Sequence, residues 1–162
     1  MIEDLWIIFR FLSVGILMLN VSLEDYRHFR VPGRSCLLLG CIGILDSIWM
    51  ERSWVDCTMG FFVVSTLLMV LYISTRGKGI GGGDIKLMAV SGILLGCMGN
   101  ILAFILACFF VVILYPLRKI LFPSRKRLAL GPYLSLGIML THLWGNNIIQ
   151  AYLSWPGIYL SI

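Results

Sequence analysis

WVDCTMGFFVVSTLLMVLYIST, residues 54–75, is apolar almost throughout and carries one charge, Asp56. A helix needs about 20 residues to cross the hydrocarbon core of a bilayer, and this run has that length. Similar runs flank it, separated by short breaks that are charged or rich in Gly and Pro. They cover about 5–23 (interrupted by Arg10), 35–50 (with Asp46 near its end), 85–98 (short for a span), 101–122 and 128–144. A last stretch, 148–162, is broken by Pro156 and Gly157. It is short for a span and could lie at the membrane interface. The expectation is an all-α polytopic membrane protein of about six transmembrane helices, built as a single membrane-embedded domain over residues 1–162.

Composition supports that class. Of the 162 residues, 59% are apolar and 13% charged, against roughly 45–50% and 25% in soluble domains. A disordered chain would be poor in apolar residues. The net charge of +5 does not indicate nucleic acid, because such binding needs a basic stripe on a soluble surface. Glu3 and Asp4 have the wrong sign for the basic start of a signal peptide, so the first run is expected to remain in the mature chain. The five cysteines, Cys36, Cys41, Cys57, Cys97 and Cys108, form no CxxC pair, and no zinc site or disulfide framework is read.

Charge distribution gives orientation. Of the 13 basic residues, 11 fall in alternate breaks: Arg27, Arg30 and Arg34; Arg76, Lys78 and Lys86; Arg118, Lys119, Arg125, Lys126 and Arg127. Glu3, Asp4, Asp46, Glu51 and Asp56 fall on the opposite side. The basic breaks are expected to be cytoplasmic and the N-terminus outside. The 118–127 loop reads as a topogenic segment near anionic headgroups. Arg10 could snorkel toward the outer face and is given no function.

Three acids remain on the basic side: Glu24, Asp25 and Asp84. Carboxylates at the mouth of an apolar helix are costly and face protein or water rather than lipid. Asp25 ends the first run and Asp84 opens the fourth, so the two can share one membrane depth. Four of residues 79–83 are Gly, which makes a pliable break and permits close backbone approach. The plain reading of Asp84 is a helix cap, and that of Asp25 a helix end before a loop held by Pro32. A P-loop is excluded because its Lys-Ser/Thr pair is missing. Together the two acids suggest chemistry. Neighbouring carboxyls cannot both ionise easily, so one keeps a proton while the other acts as a base on water. That is the aspartic-protease arrangement, which needs no metal and no cofactor. His28 and His142 fall on opposite sides and read as loop or helix-end residues.

Asp25 with Pro32 seven residues on, then Gly81-Gly82-Gly83-Asp84 with Lys86, then Leu128-Ala129-Leu130-Gly131-Pro132-Tyr133-Leu134-Ser135-Leu136-Gly137, resembles the type IV prepilin peptidase family of GxGD membrane aspartic proteases. The resemblance implies removal of the basic leader from prepilins or pseudopilins at the cytoplasmic membrane face, with the cut typically after a glycine. It implies Asp25 and Asp84 as the catalytic pair and Gly81 and Gly83 as the residues that let the loop bring them together. Lys86 matches the pattern and could snorkel or hold a nearby charge. Glu24, beside Asp25, could meet the leader's cations, and chemistry alone leaves it open as the partner acid. Gly33 stands where the family often has Asn. The short connection after the first run, without CxxC, resembles the peptidase-only members, which are not expected to N-methylate their product. The implied partners are a prepilin-like substrate and membrane lipid, in a bacterial or archaeal cytoplasmic membrane.

Two other readings compete. The presenilin and signal-peptide-peptidase group also uses GxGD, but places Tyr before its first acid and carries a Pro-Ala-Leu block. Here Tyr26 follows Asp25 and no Pro-Ala-Leu occurs. A small proton- or cation-coupled transporter would also carry intramembrane acids, though nearer mid-membrane and commonly with an internal repeat.

Overall fold

A computed structural model describes residues 2–28, 30–77, 80–121 and 129–154. Among the described residues five helices follow one another: α1 Ile2–His28, α2 Gly33–Trp49, α3 Trp54–Ser74, α4 Gly82–Leu121 and α5 Gly131–Leu153. No strand occurs among the described residues. Lys78, Gly79, Arg125, Lys126, Arg127, Leu128 and residues 155–162, on which parts of the sequence reading rest, lie outside them.

Both faces of these helices are apolar, and that decides their environment. α1 buries Val14, Met18 and Val21 and exposes Leu5, Ile8, Leu12, Ile16, Leu19 and Leu23. α3 buries Val64 and Leu68 and exposes Val55, Met59, Phe62, Leu67 and Val70. A helix on a soluble core has a polar outer face, and apolar patches this extensive are not carried by soluble monomers. In lipid the same surface is solvated. Three helical stretches among the described residues are long and apolar enough to cross a membrane: Leu5–His28, Trp54–Ser74 and Gly82–Pro116.

The last of these is not a straight rod. Asn100 Nδ2 donates to Met88 O at 3.0 Å, and Ser91 Oγ donates to Asn100 Oδ1 at 3.0 Å. Twelve residues of straight helix would separate positions 88 and 100 by about 18 Å, so α4 doubles back between them. The turn is at Gly96, whose φ of 74° is accessible to glycine and strained for other residues. Asp56 of α3 closes it by accepting the Cys97 N–H at 3.0 Å. The described parts of the runs at 85–98 and 101–122 are therefore two arms of one hairpin, and the described residues form six helical segments. The expected break between them, at Gly99 and Asn100, falls a few residues late. Asn100 is already helical, and its side chain ties the two arms to each other and to Gly60 O at 2.8 Å.

α4 packs on α2, α3 and α5, and α1 packs on α5 and α2. The α3–α4 crossing is a glycine contact, as is common between membrane helices. A Cβ at Gly92 would fall on the Gly60 carbonyl, and one at Gly60 on the Gly92 carbonyl. Gly92→Ala is therefore expected to cost about 1–3 kcal/mol, read as a lowered melting temperature in detergent. Gly33, whose added Cβ meets nothing within 4 Å, is the control.

Other boundaries also shift. α1 runs on to His28, so Asp25 sits inside its last turn rather than at its end. α5 continues through the expected break near residue 145 to Leu153. Arg10 does not snorkel: its Nη1 donates to Asp46 Oδ1 of α2 at 2.7 Å, with both side chains largely covered.

Candidate active site

Four chain segments meet at one end of the bundle: the last turn of α1, the connection into α2, the start of α4 and the start of α5. Between them lies a cavity of ≈ 320 Å³ lined by Asp25, Arg30, Val31, Gly33, Cys36, Gly81, Gly82, Gly83, Asp84 and Lys86. Asp25 and Asp84 are 5% and 6% exposed, and both line this one cavity.

Local sequence explains each position. Pro32 is extended, with φ of −67° and ψ of 123°, so the chain turns between α1 and α2 and presents Arg30 and Val31 to the cavity. α4 begins at Gly82, and Asp84 lies in its first turn. The Gly81 N–H donates to Asp84 Oδ2 at 3.2 Å, and the Asp84 N–H donates to Gly81 O at 3.1 Å. An acid in the first turn reaching back to the preceding amide is one half of a capping box. The plain cap reading and the site reading are thus compatible. Asp25 is held by a segment distant in sequence: the Gly131 N–H, at the start of α5, donates to Asp25 Oδ2 at 2.8 Å.

The glycines act through space rather than through bending. Gly81, Gly82 and Gly83 have no φ in the left-handed region. A Cβ on Gly83 would lie 2.9 Å from Val31 Cβ and 3.2 Å from Val31 N, whereas one on Gly82 meets nothing within 4 Å. Gly83 is what lets α4 start against the α1–α2 connection. Gly83→Ala is expected to lower any activity of this site by about 10²-fold through misplacement of Asp84, while Gly82→Ala stays close to the parent. Parallel assays with a melting measurement separate misplacement from unfolding.

Of the sequence-derived residues, Asp25, Asp84, Gly81, Gly83 and Lys86 all line this cavity. Lys86 is exposed at it. Glu24 does not line it, and instead its Oε1 lies 3.5 Å from His28 Nδ1, one turn on. His142 lies at the opposite end, its ring 4.7 Å from that of Phe11. Among the described residues no three His, Cys, Asp or Glu side chains are placed to share a metal ion. Two contributions were missed. Cys36 lines the cavity because it follows Pro32 by one helical turn. Gly131 holds Asp25, and its signal was the Gly131-Pro132 pair, which places a glycine amide at the first turn of a helix.

An apolar bundle that brings two buried acids from different helices to one cleft at its end defines a class: membrane proteins built around a carboxyl pair. The Type IV leader peptidase family model matches residues 12–116, a stretch that includes both acids and the Gly81–Gly83 run. The chain belongs to that family. It is similar to proteins named Prepilin leader peptidase/N-methyltransferase. The one from Xanthomonas campestris pv. campestris is 27% identical over 161 residues, 94% of this chain and 56% of the relative. The one from Bacillus subtilis is 31% identical over 144 residues, 85% and 56%, and the one from Pseudomonas aeruginosa 25% over 153 residues, 86% and 51%. The chain spans about half the length of these curated relatives. No solved structure matches it.

Proposed function

We propose that the protein is a membrane aspartic endopeptidase that removes the basic leader from prepilin-like proteins at the cytoplasmic face of the cytoplasmic membrane. The observation that carries this reading is the convergence of Asp25 and Asp84, both buried, on one cavity in a chain of this family. In the proposal residues 1–162 act as one membrane-embedded domain, all six helical passes cross the membrane and the N-terminus is outside. Arg30 and Lys86 at the cavity, and Arg27, Arg34 and Arg76 at the same helix ends, support that orientation.

The chemistry follows from a carboxyl pair that shares one proton. Asp25 and Asp84 each commit Oδ2 to a backbone amide, and Oδ1 of each is the proposed working oxygen. The charged member takes a proton from water as the water oxygen attacks the scissile carbonyl carbon. The protonated member gives its proton to the carbonyl oxygen, leaving a tetrahedral diol. As the C–N bond breaks, the first carboxyl passes its proton to the leaving nitrogen. A diol hydroxyl returns a proton to the second, and the pair regains its starting state. Gly81, Gly83 and Gly131 position the pair, and Lys86 carries a cation at the rim of the same cavity.

Incubation of the purified protein in neutral detergent with a peptide spanning a prepilin leader junction tests the reading. A single cut after the leader glycine is expected. An intact peptide, together with ion flux into proteoliposomes that a leader peptide does not alter, would support a transporter instead.

A further inference from the structure

At the other end of the bundle a second cavity, of ≈ 80 Å³, is lined by residues that take no part in the carboxyl site. Its polar lining comes from Arg10 of α1, Arg52 of the α2–α3 connection, and Thr141, His142 and Asn146 of α5. Among the described residues no carboxylate lines it. Asp46, 1% exposed, pairs with Arg10 Nη1 at 2.7 Å, and Asp56 is committed to the Cys97 amide. Arg52 Nη1 donates to Leu94 O at 2.8 Å at the α4 turn, which fixes its guanidinium at the cavity. Glu51, the remaining acid on that connection, is exposed.

Two further observations bear on what this cavity holds. Arg10 Nε, Thr141 Oγ1 and His142 Nε2 are buried and have no hydrogen-bond partner among the described residues. Buried polar atoms are rarely left so, and here three of them belong to residues of one small cavity. The second observation is depth. Trp6, Trp49, Trp54 and Trp144, all of the described tryptophans, lie toward this end of their helices. Trp6 stacks on Trp49 at 5.5 Å, and Trp49, Trp54 and Trp144 are about half or more exposed. Tryptophan girdles mark the level of lipid headgroups. A cavity with two guanidiniums from α1 and the α2–α3 connection and a hydroxyl and an imidazole from α5, at headgroup depth, matches a tetrahedral oxyanion.

We propose that the cavity lined by Arg10, Arg52, Thr141 and His142 binds a phosphate group, supplied by a phospholipid headgroup or by free phosphate, and ties α1, the α2–α3 connection and α5 together. Binding to the folded chain alone raises its melting temperature. The test uses the full chain, delipidated in a neutral sugar detergent, with no substrate present, so that its outcome is independent of any peptidase activity. One arm adds inorganic phosphate against chloride at matched ionic strength. The other adds dioctanoyl phosphatidylglycerol against dioctanoylglycerol, which has the same tails and no phosphate. At about 100-fold excess over Kd a rise of about 5 °C over the control is expected. A rise in the first arm identifies free phosphate as a source, and a rise in the second identifies the lipid. Thr141→Val removes a hydroxyl that has no partner among the described residues, so the bare protein melts as before while affinity for the phosphate probe falls about fivefold or more. Arg52→Gln is expected to weaken the response further. No rise above control in either arm, or an undiminished response in both variants, overturns the proposal.

Discussion

Asp84→Asn and Asp25→Asn are each expected to lower leader cleavage by about 10²–10⁴-fold, the range that positioned acid–base groups contribute. Each amide keeps the side chain's shape and an oxygen able to accept the amide N–H that now reaches Oδ2, from Gly81 or from Gly131. The bundle should therefore insert and melt as the parent does. Because the pair works as a unit, the double variant should fall little below either single one. Glu24→Gln removes an exposed partner of His28 and is expected to change cleavage little, since exposed ion pairs contribute little. Initial rates on one peptide, with detergent melting curves for the four variants, check the set. Equal losses for Glu24→Gln and Asp25→Asn would contradict the assignment of the pair.

Gly131→Ala carries the second large effect, and it comes from outside the stretch matched by the family model. A Cβ at Gly131 would lie 2.7 Å from both Asp25 Cβ and Oδ2, and 2.8 Å from Cγ. Carbon atoms do not approach that closely, so either α5 backs away or the Asp25 carboxyl turns aside. Asp25 is fixed within the last turn of α1 and buried at 5% exposure, which leaves little room to adjust. Displacing one member of the pair by an ångström is expected to cost about 10²-fold in rate, and overpacking about 1–3 kcal/mol in stability. Cleavage measured well below the melting temperature distinguishes the two. A variant that melts lower and cleaves normally would show that Gly131 is needed for packing alone.

Much of this architecture is written in the apolar runs, because lipid requires long uninterrupted segments and the charges between them mark where helices end. α2 and α3 fall within a residue or two of the runs at 35–50 and 54–75 for that reason. The two acids were legible as outliers, since a carboxylate beside an apolar helix needs a purpose. What pattern could not convey were contacts between distant segments. Gly96 and Gly99 look alike in sequence, and the turn settles on Gly96 because Asp56, 40 residues earlier, closes it. The pairing of Arg10 with Asp46 depends on α1 and α2 lying side by side. The amide that holds Asp25 is 106 residues away. Glycines at 81–83 suggested a bend, whereas their use at Gly83 is to admit Val31. In each case residue type announced that something unusual was needed, and packing determined what.

Mass spectrometry of a prepilin co-expressed with the parent protein and with Asp84→Asn tests the carboxyl pair as a peptidase centre, because it reads activity and cut position together. A product shortened by its leader and cut after the leader glycine is expected with the parent, and a full-length prepilin with Asp84→Asn present in the membrane at equal amount. A shortened prepilin with Asp84→Asn would contradict that assignment.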